Sequence, residues 1–141
     1  MISNTKITAG DLMRSKLITL HPKDKLERVK QIFDDYSFRH IPIVVGGKVQ
    51  GIISKSDFLH IEGTSRDSFD KFLNSKRFKM HTVDEYMKAE VVCCKLDTPL
   101  LNLTKLFLAN EIHSVLVVDD EELVGIVTPQ DILRWLHNEI E

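Results

Sequence analysis

Cysteine is scarce in this chain. The only two, Cys93 and Cys94, are adjacent. On a strand their side chains would point to opposite faces, which argues against a mutual disulfide, and no C-x-x-C metal spacing exists. Both thiols are expected to be buried among apolar groups, as free cysteine usually is. Long apolar runs are missing too: none approaches the roughly 20 residues that span a bilayer. The opening residues, MISNTKITAG, lack the apolar core of a secretory signal. Nor is there a basic excess. Lys and Arg number 19 against 21 Asp and Glu, a net charge of -2, whereas a general nucleic-acid binder carries a strongly basic footprint. These absences lead to the expectation of a cytoplasmic protein that engages neither nucleic acid nor membrane.

Catalytic signatures are also absent. There is no phosphate loop of the G-x-x-x-x-G-K type. None of the six histidines pairs with another at i+3 or i+4 on an expected helix, so no metal site is expected. Cys93 and Cys94 sit in an apolar stretch without the base and electropositive setting a nucleophile needs. No catalytic residues are assigned, and the chain is not expected to be an enzyme.

What is present is a repeat. The 141 residues are 43% hydrophobic and 28% charged, ordinary for a globular protein and enough for one domain or two very small repeats. The stretch GIISKSDFL from Gly51 returns as GIVTPQDIL from Gly125, 74 positions later, and that offset extends along the chain without a gap. Thr8 meets Thr82, Met13 meets Met87, Leu26 meets Leu100, Phe33 meets Phe107, and Asp57 meets Asp131. IPIVV meets VLVVD in class if not in identity. An internal match at fixed offset identifies two copies of one unit.

Each copy reads β-α-β-β-α. A short strand is expected near 17–20 and again near 91–95. A helix follows, with Asp24 as N-cap and Glu27 three residues on in copy one. In copy two Thr98 is the cap and Pro99 the first helical residue. Leu26, Val29, Ile32, Phe33 and Tyr36 share one helical face, as do Leu100, Leu103, Leu106 and Phe107. Two apolar runs then flank Gly46-Gly47, a hairpin signal, and their counterparts flank the acidic turn DDEE. A second helix closes each copy, near 56–61 and 130–140. The expected fold is mixed α/β (α+β), two β-α-β-β-α repeats packed sheet to sheet about a pseudo-two-fold. The repeats are placed at 1–62 and 80–141. Between them, 63–79 has no counterpart and reads as an inserted amphipathic helix carrying Phe69, Phe72, Leu73 and Phe78, which packs on its own module or presents an apolar face to a partner.

The repeated motif has two readings. Ser54-x-x-Asp57 and Thr128-x-x-Asp131 are helix-start signatures in which the hydroxyl caps and the acid complements the dipole. The same start, with free N–H groups and a hydroxyl, suits a phosphate. An acid one turn on can accept the two vicinal hydroxyls of a ribose.

In order, the motifs DLM, LITLHPKDKL, RHIPIVV and GIISKSDFL, then EYM, VVCCKLDTPL, HSVLVVDD and GIVTPQDIL, resemble a tandem CBS-domain pair, the regulatory module named after cystathionine beta-synthase. The resemblance covers nearly the whole chain and, with no catalytic or DNA-binding domain joined to it, implies a stand-alone pair. It implies no obligatory cofactor but a regulatory ligand, AMP, ADP or ATP in preference to S-adenosylmethionine, bound in clefts between the repeats. One site would use Ser54 and Asp57, with Ile18 and Thr19 from the first strand and Ile41 and Pro42 from the hairpin. Arg39, His40 and Lys55 would lie near its phosphate, although Arg39 and His40 read equally well as surface residues. The other would use Thr128 and Asp131 with Val92, Cys93, His113, Val115 and Leu116. Leu116 stands there in place of Pro42, and Cys93 in place of Thr19, which departs from the pattern. The resemblance further implies a homodimer formed through helices and a regulated protein whose identity the sequence does not give. The alternative is an interaction scaffold with vestigial clefts.

Overall fold

A computed structural model describes residues 6–63 and 68–140. In chain order it contains α1 (Ala9–Leu12), α2 (Leu26–Asp35), β1 (His40–Val45), β2 (Lys48–Ser54), α3 (Lys55–Glu62) and α4 (Ser68–Met80). A 3-10 turn at Val83–Glu85 precedes β3 (Cys93–Lys95), α5 (Leu100–Asn110), β4 (Val115–Asp119), β5 (Glu122–Val127) and α6 (Pro129–Ile140). The class is mixed α/β with two sheets, as expected. The chain divides into two compact units. One is 18–90; the other joins the residues before 18 to those after 90. The opening segment of each repeat is thus built into the unit that holds most of the other repeat.

In the 18–90 unit, β1 and β2 pair antiparallel, with His40 opposite Ser54 and Ile41 opposite Ile53. Leu26, Val29, Ile32 and Phe33 form the inward stripe of α2 and meet Ile41, Ile43 and Ile53 from the sheet. Each such side chain contributes about 1.5–3 kcal/mol when fully buried. The expected strand near 17–20 is reduced to a single parallel bridge, Leu20 to Ile43. The backbone groups of Leu20 are still used: its N–H donates to the Pro42 carbonyl, and its carbonyl accepts from Val44. Asp24 does not cap α2. Its carboxylate accepts from the His21 N–H at 2.7 Å, and Lys25 occupies the cap position. The cap is dispensable because the Leu26 N–H donates to the His81 carbonyl at 3.1 Å, which satisfies an otherwise orphaned donor.

The second unit repeats this arrangement with every partner moved by 74. Leu100 N–H donates to the Ile7 carbonyl at 2.9 Å. Pro99, not Thr98, holds the cap position of α5, and the Thr98 hydroxyl accepts from Lys95 N–H instead. Here the first strand does form: β3 runs parallel to β4, which pairs antiparallel with β5. Both hairpins carry an irregularity at the same place, after Ile43 and after Val117. Both turns need two residues at positive φ. Gly46 and Gly47 supply them at 57° and 82°, whereas Asp120 and Glu121 adopt 50° and 68°.

The glycines that open the repeated stretch also have a structural reason. A Cβ on Gly51 would come within 2.7 Å of Met87 Sδ and of the Lys88 carbonyl oxygen, and one on Gly125 within 2.8 Å of Met13 Cγ. The exchanged segments pass directly over these two positions.

Of the inserted segment, 64–67 lies outside the described residues. The helix expected there is α4, but its packing differs from either expectation alone. Phe78 is buried against Phe58 with ring centroids 5.3 Å apart. Asn74 and Arg77 donate to the Glu62 and Ile61 carbonyls at the end of α3. Phe69, Phe72 and Leu73 remain exposed, at 65%, 53% and 48%.

Candidate functional site

The repeated motif lies where each hairpin ends and a helix begins. Ser54 is the N-cap of α3, and its Oγ accepts from the Asp57 N–H at 3.0 Å. The register that sets His40 opposite Ser54 also lets the Arg39 carbonyl accept from Lys55 N–H at 2.8 Å. Arg39, His40, Ser54 and Lys55 are therefore joined at the backbone, with Asp57 on the first turn of α3. Arg39 is exposed and His40 half-buried. Ile18 packs at the edge of the core, Thr19 is exposed, and Ile41 and Pro42 are buried in β1.

In the other unit Thr128 precedes α6. Its N–H and hydroxyl donate to Asp131 Oδ2 at 2.9 and 3.0 Å, and Asp131 N–H donates back to Oγ1 at 3.4 Å. This is a reciprocal capping box. Val115 and Leu116 are buried in β4, Val92 is half-buried, and His113 is exposed. Cys93 departs from the expectation: alternation along β3 turns it outward while Cys94 points into the core. Burial pushes the Cys94 thiol up to about 11, so it stays protonated and unreactive near neutrality.

Three cations complete these surroundings. Lys88 Nζ lies 3.5 Å from Asp57 Oδ1. Arg14 Nε and Arg134 Nη1 lie 3.4 and 3.1 Å from Asp131 Oδ1. Sequence reasoning did not assign Lys88 or Arg14 to either motif. The offset held the signal, because both are cations and they stand 74 positions apart. Two hollows of about 330 and 500 Å³ lie along α4, walled by Glu62, Asn74 and neighbouring charged residues. Neither contains an expected site residue. Among the described residues, no group of three or more His, Cys, Asp or Glu is arranged to hold a metal ion, and no helix is long and apolar enough to cross a membrane.

Comparison with known proteins matches the model of the CBS domain twice, at residues 9–63 and 83–138. An A-adding tRNA nucleotidyltransferase of Geobacter sulfurreducens is 30% identical over 92% of this chain and 13% of its own length. The chain spans less than half the length of the curated relatives it matches. Among solved structures, the CBS-pair protein CBSX2 of Arabidopsis thaliana has the same fold, with a TM-score of 0.80 at 20% identity, over 97% of this chain and 99% of that one. The CBS-domain pair of protein MJ0100, solved in complex with 5'-methylthioadenosine and S-adenosyl-L-methionine, superposes with a TM-score of 0.72 at 28% identity, over 92% and 99% of the two chains.

Proposed function

The chain belongs to the CBS-domain family, and on that premise we propose that it is a regulatory module that binds an adenosyl ligand at the start of α3. One observation carries the reading. Asp57 presents its carboxylate on the first helical turn, beside the Ser54 hydroxyl, with 29% of its side chain exposed and, among the described residues, a long ion pair to Lys88. A carboxylate so placed can accept both vicinal hydroxyls of a ribose. A phosphate would lie at the positive end of α3, within reach of Lys55 and Arg39. The MJ0100 pair, which has the same fold, was solved with two adenosyl compounds, and this supports an adenosine-containing ligand here, with AMP, ADP and ATP the first to test. The ligand acts on a partner by favouring one arrangement of the module over another, and its effect is bounded by that difference in affinity.

A second reading has an observation of its own. Phe69, Phe72 and Leu73 form an exposed apolar stripe on α4, as an interaction scaffold would need. The two separate in one experiment: thermal melting with and without millimolar AMP, ADP, ATP and S-adenosylmethionine, on the native chain and on Asp57→Ala. A ligand at 100 times its Kd stabilises by about 2.7 kcal/mol, and that gain should vanish in the variant. Absence of any shift favours the scaffold. A shift that survives Asp57→Ala places the ligand elsewhere.

A further inference from the structure

The two copies of the motif differ in what already occupies the acid. Asp131 is 5% exposed. Its Oδ2 accepts from the Thr128 N–H and hydroxyl, and its Oδ1 from Arg14 and Arg134. Four donors fill a carboxylate that offers about four lone-pair sites. A ribose diol could enter only by displacing them, exchanging two guanidinium donors for neutral hydroxyls, and charge-assisted bonds are about twice as strong as neutral ones.

Asp57 has none of this enclosure. Its ion-pair partner, Lys88 Nζ, stands 3.5 Å away on a side chain that is 67% exposed, and such pairs are worth little. The difference is written in two substitutions between the copies. Lys88 stands where the other copy has Arg14, and His60 stands where it has Arg134. Among the described residues, therefore, no guanidinium closes over Asp57. Arg14 is also tied to β5 through its backbone, in both directions with Ile126, at 2.9 and 3.1 Å. The Arg14–Asp131 pair adds α6 to that attachment.

Resting on the reading above, we infer that the copies have divided the motif's two roles, so that the chain takes one ribose-bearing ligand rather than two. Asp57 receives the ligand. Asp131 is a positioning residue that fastens the segment ending at Arg14 to α6.

Isothermal titration counts the equivalents of AMP, ATP or S-adenosylmethionine bound per chain at saturation. One equivalent is expected, lost in Asp57→Asn and unchanged in number in Arg134→Gln. Two equivalents per chain, or one that survives Asp57→Asn, would overturn the inference. No binding of any of the three sinks the ligand reading itself. The fastening role is then tested alone by thermal melts of Arg14→Ala, Asp131→Ala and the double variant. If the pair fastens the segment, the double variant melts close to Asp131→Ala; losses that simply add show that the two residues act independently.

Discussion

At the scale of single residues, equal letters in the two copies carry unequal energies. Replacing Asp131 by Ala removes four hydrogen bonds from a buried carboxylate and strands two half-exposed arginines. The expected loss is about 2–3 kcal/mol, less than for a pair buried on both sides because the guanidinium groups can return to water. Asp57→Ala should cost under about 1 kcal/mol, since its partner is solvated. Urea titrations of the two variants measure the difference. The hairpin turns offer the opposite case. Asp120 and Glu121 hold positive φ where the first copy has Gly46 and Gly47, and left-handed backbone costs a side-chain-bearing residue about 1–2 kcal/mol. Replacing the pair by Asn-Gly is expected to raise stability by about 1 kcal/mol, read from the same titration.

At the scale of elements, Gly51 and Gly125 fix how closely β2 and β5 are approached by the exchanged segments. Gly51→Ala would drive a methyl against Met87 Sδ and the Lys88 carbonyl oxygen, both 2.7 Å from the new carbon. Met87 can move aside, but the Lys88 oxygen belongs to a backbone bridge with Ile52. Gly51→Ala should therefore cost about 1–3 kcal/mol and expose the Lys88 amide to hydrogen exchange. Gly125→Ala meets Met13 along its side chain, including Cβ at 2.9 Å, which is fixed to a backbone held by Ala9 and Ile126, and should cost about as much. The helices and hairpins that frame these positions were legible in the sequence because their signals are local: the apolar stripe of α2 and the paired runs around Gly46-Gly47. The caps were not. Asp24 and Thr98 have the right chemistry, but the first N–H of each helix is taken by a carbonyl from a distant segment, His81 or Ile7. Asp131 was legible as a motif residue with Arg134 three residues on, but its second cation was not, because Arg14 lies 117 positions away. Cys93 was misplaced for a simpler reason: β3 is a strand with one face out, so adjacency alone denies burial to one of the two thiols.

At the scale of the whole molecule, one identity between the copies lacks an explanation in the core. Leu59 and Leu133 stand 74 positions apart, each on the helix after its motif, and they are 54% and 58% exposed. An apolar residue repeated at an exposed helical position leaves each helix an apolar patch that a partner can cover. If chains pair through these helices, changing both to Lys is expected to lower the sedimenting mass while leaving the melting of the monomer intact. An unchanged mass would show that the two leucines do not hold chains together. The exchanged segments also set an order on events during synthesis. The 18–90 unit is contiguous and has all its parts once Glu90 has left the ribosome. The other unit needs α1 and the segment to Arg14 as well as the elements after residue 90, so Arg14 must wait for β5 and α6 before it finds its partners. Closing so long a loop is slow relative to local pairing. The segment that ends at Arg14 therefore remains without its native contacts until α6 has been made, which makes it the stretch on which chaperones or early proteolysis would act.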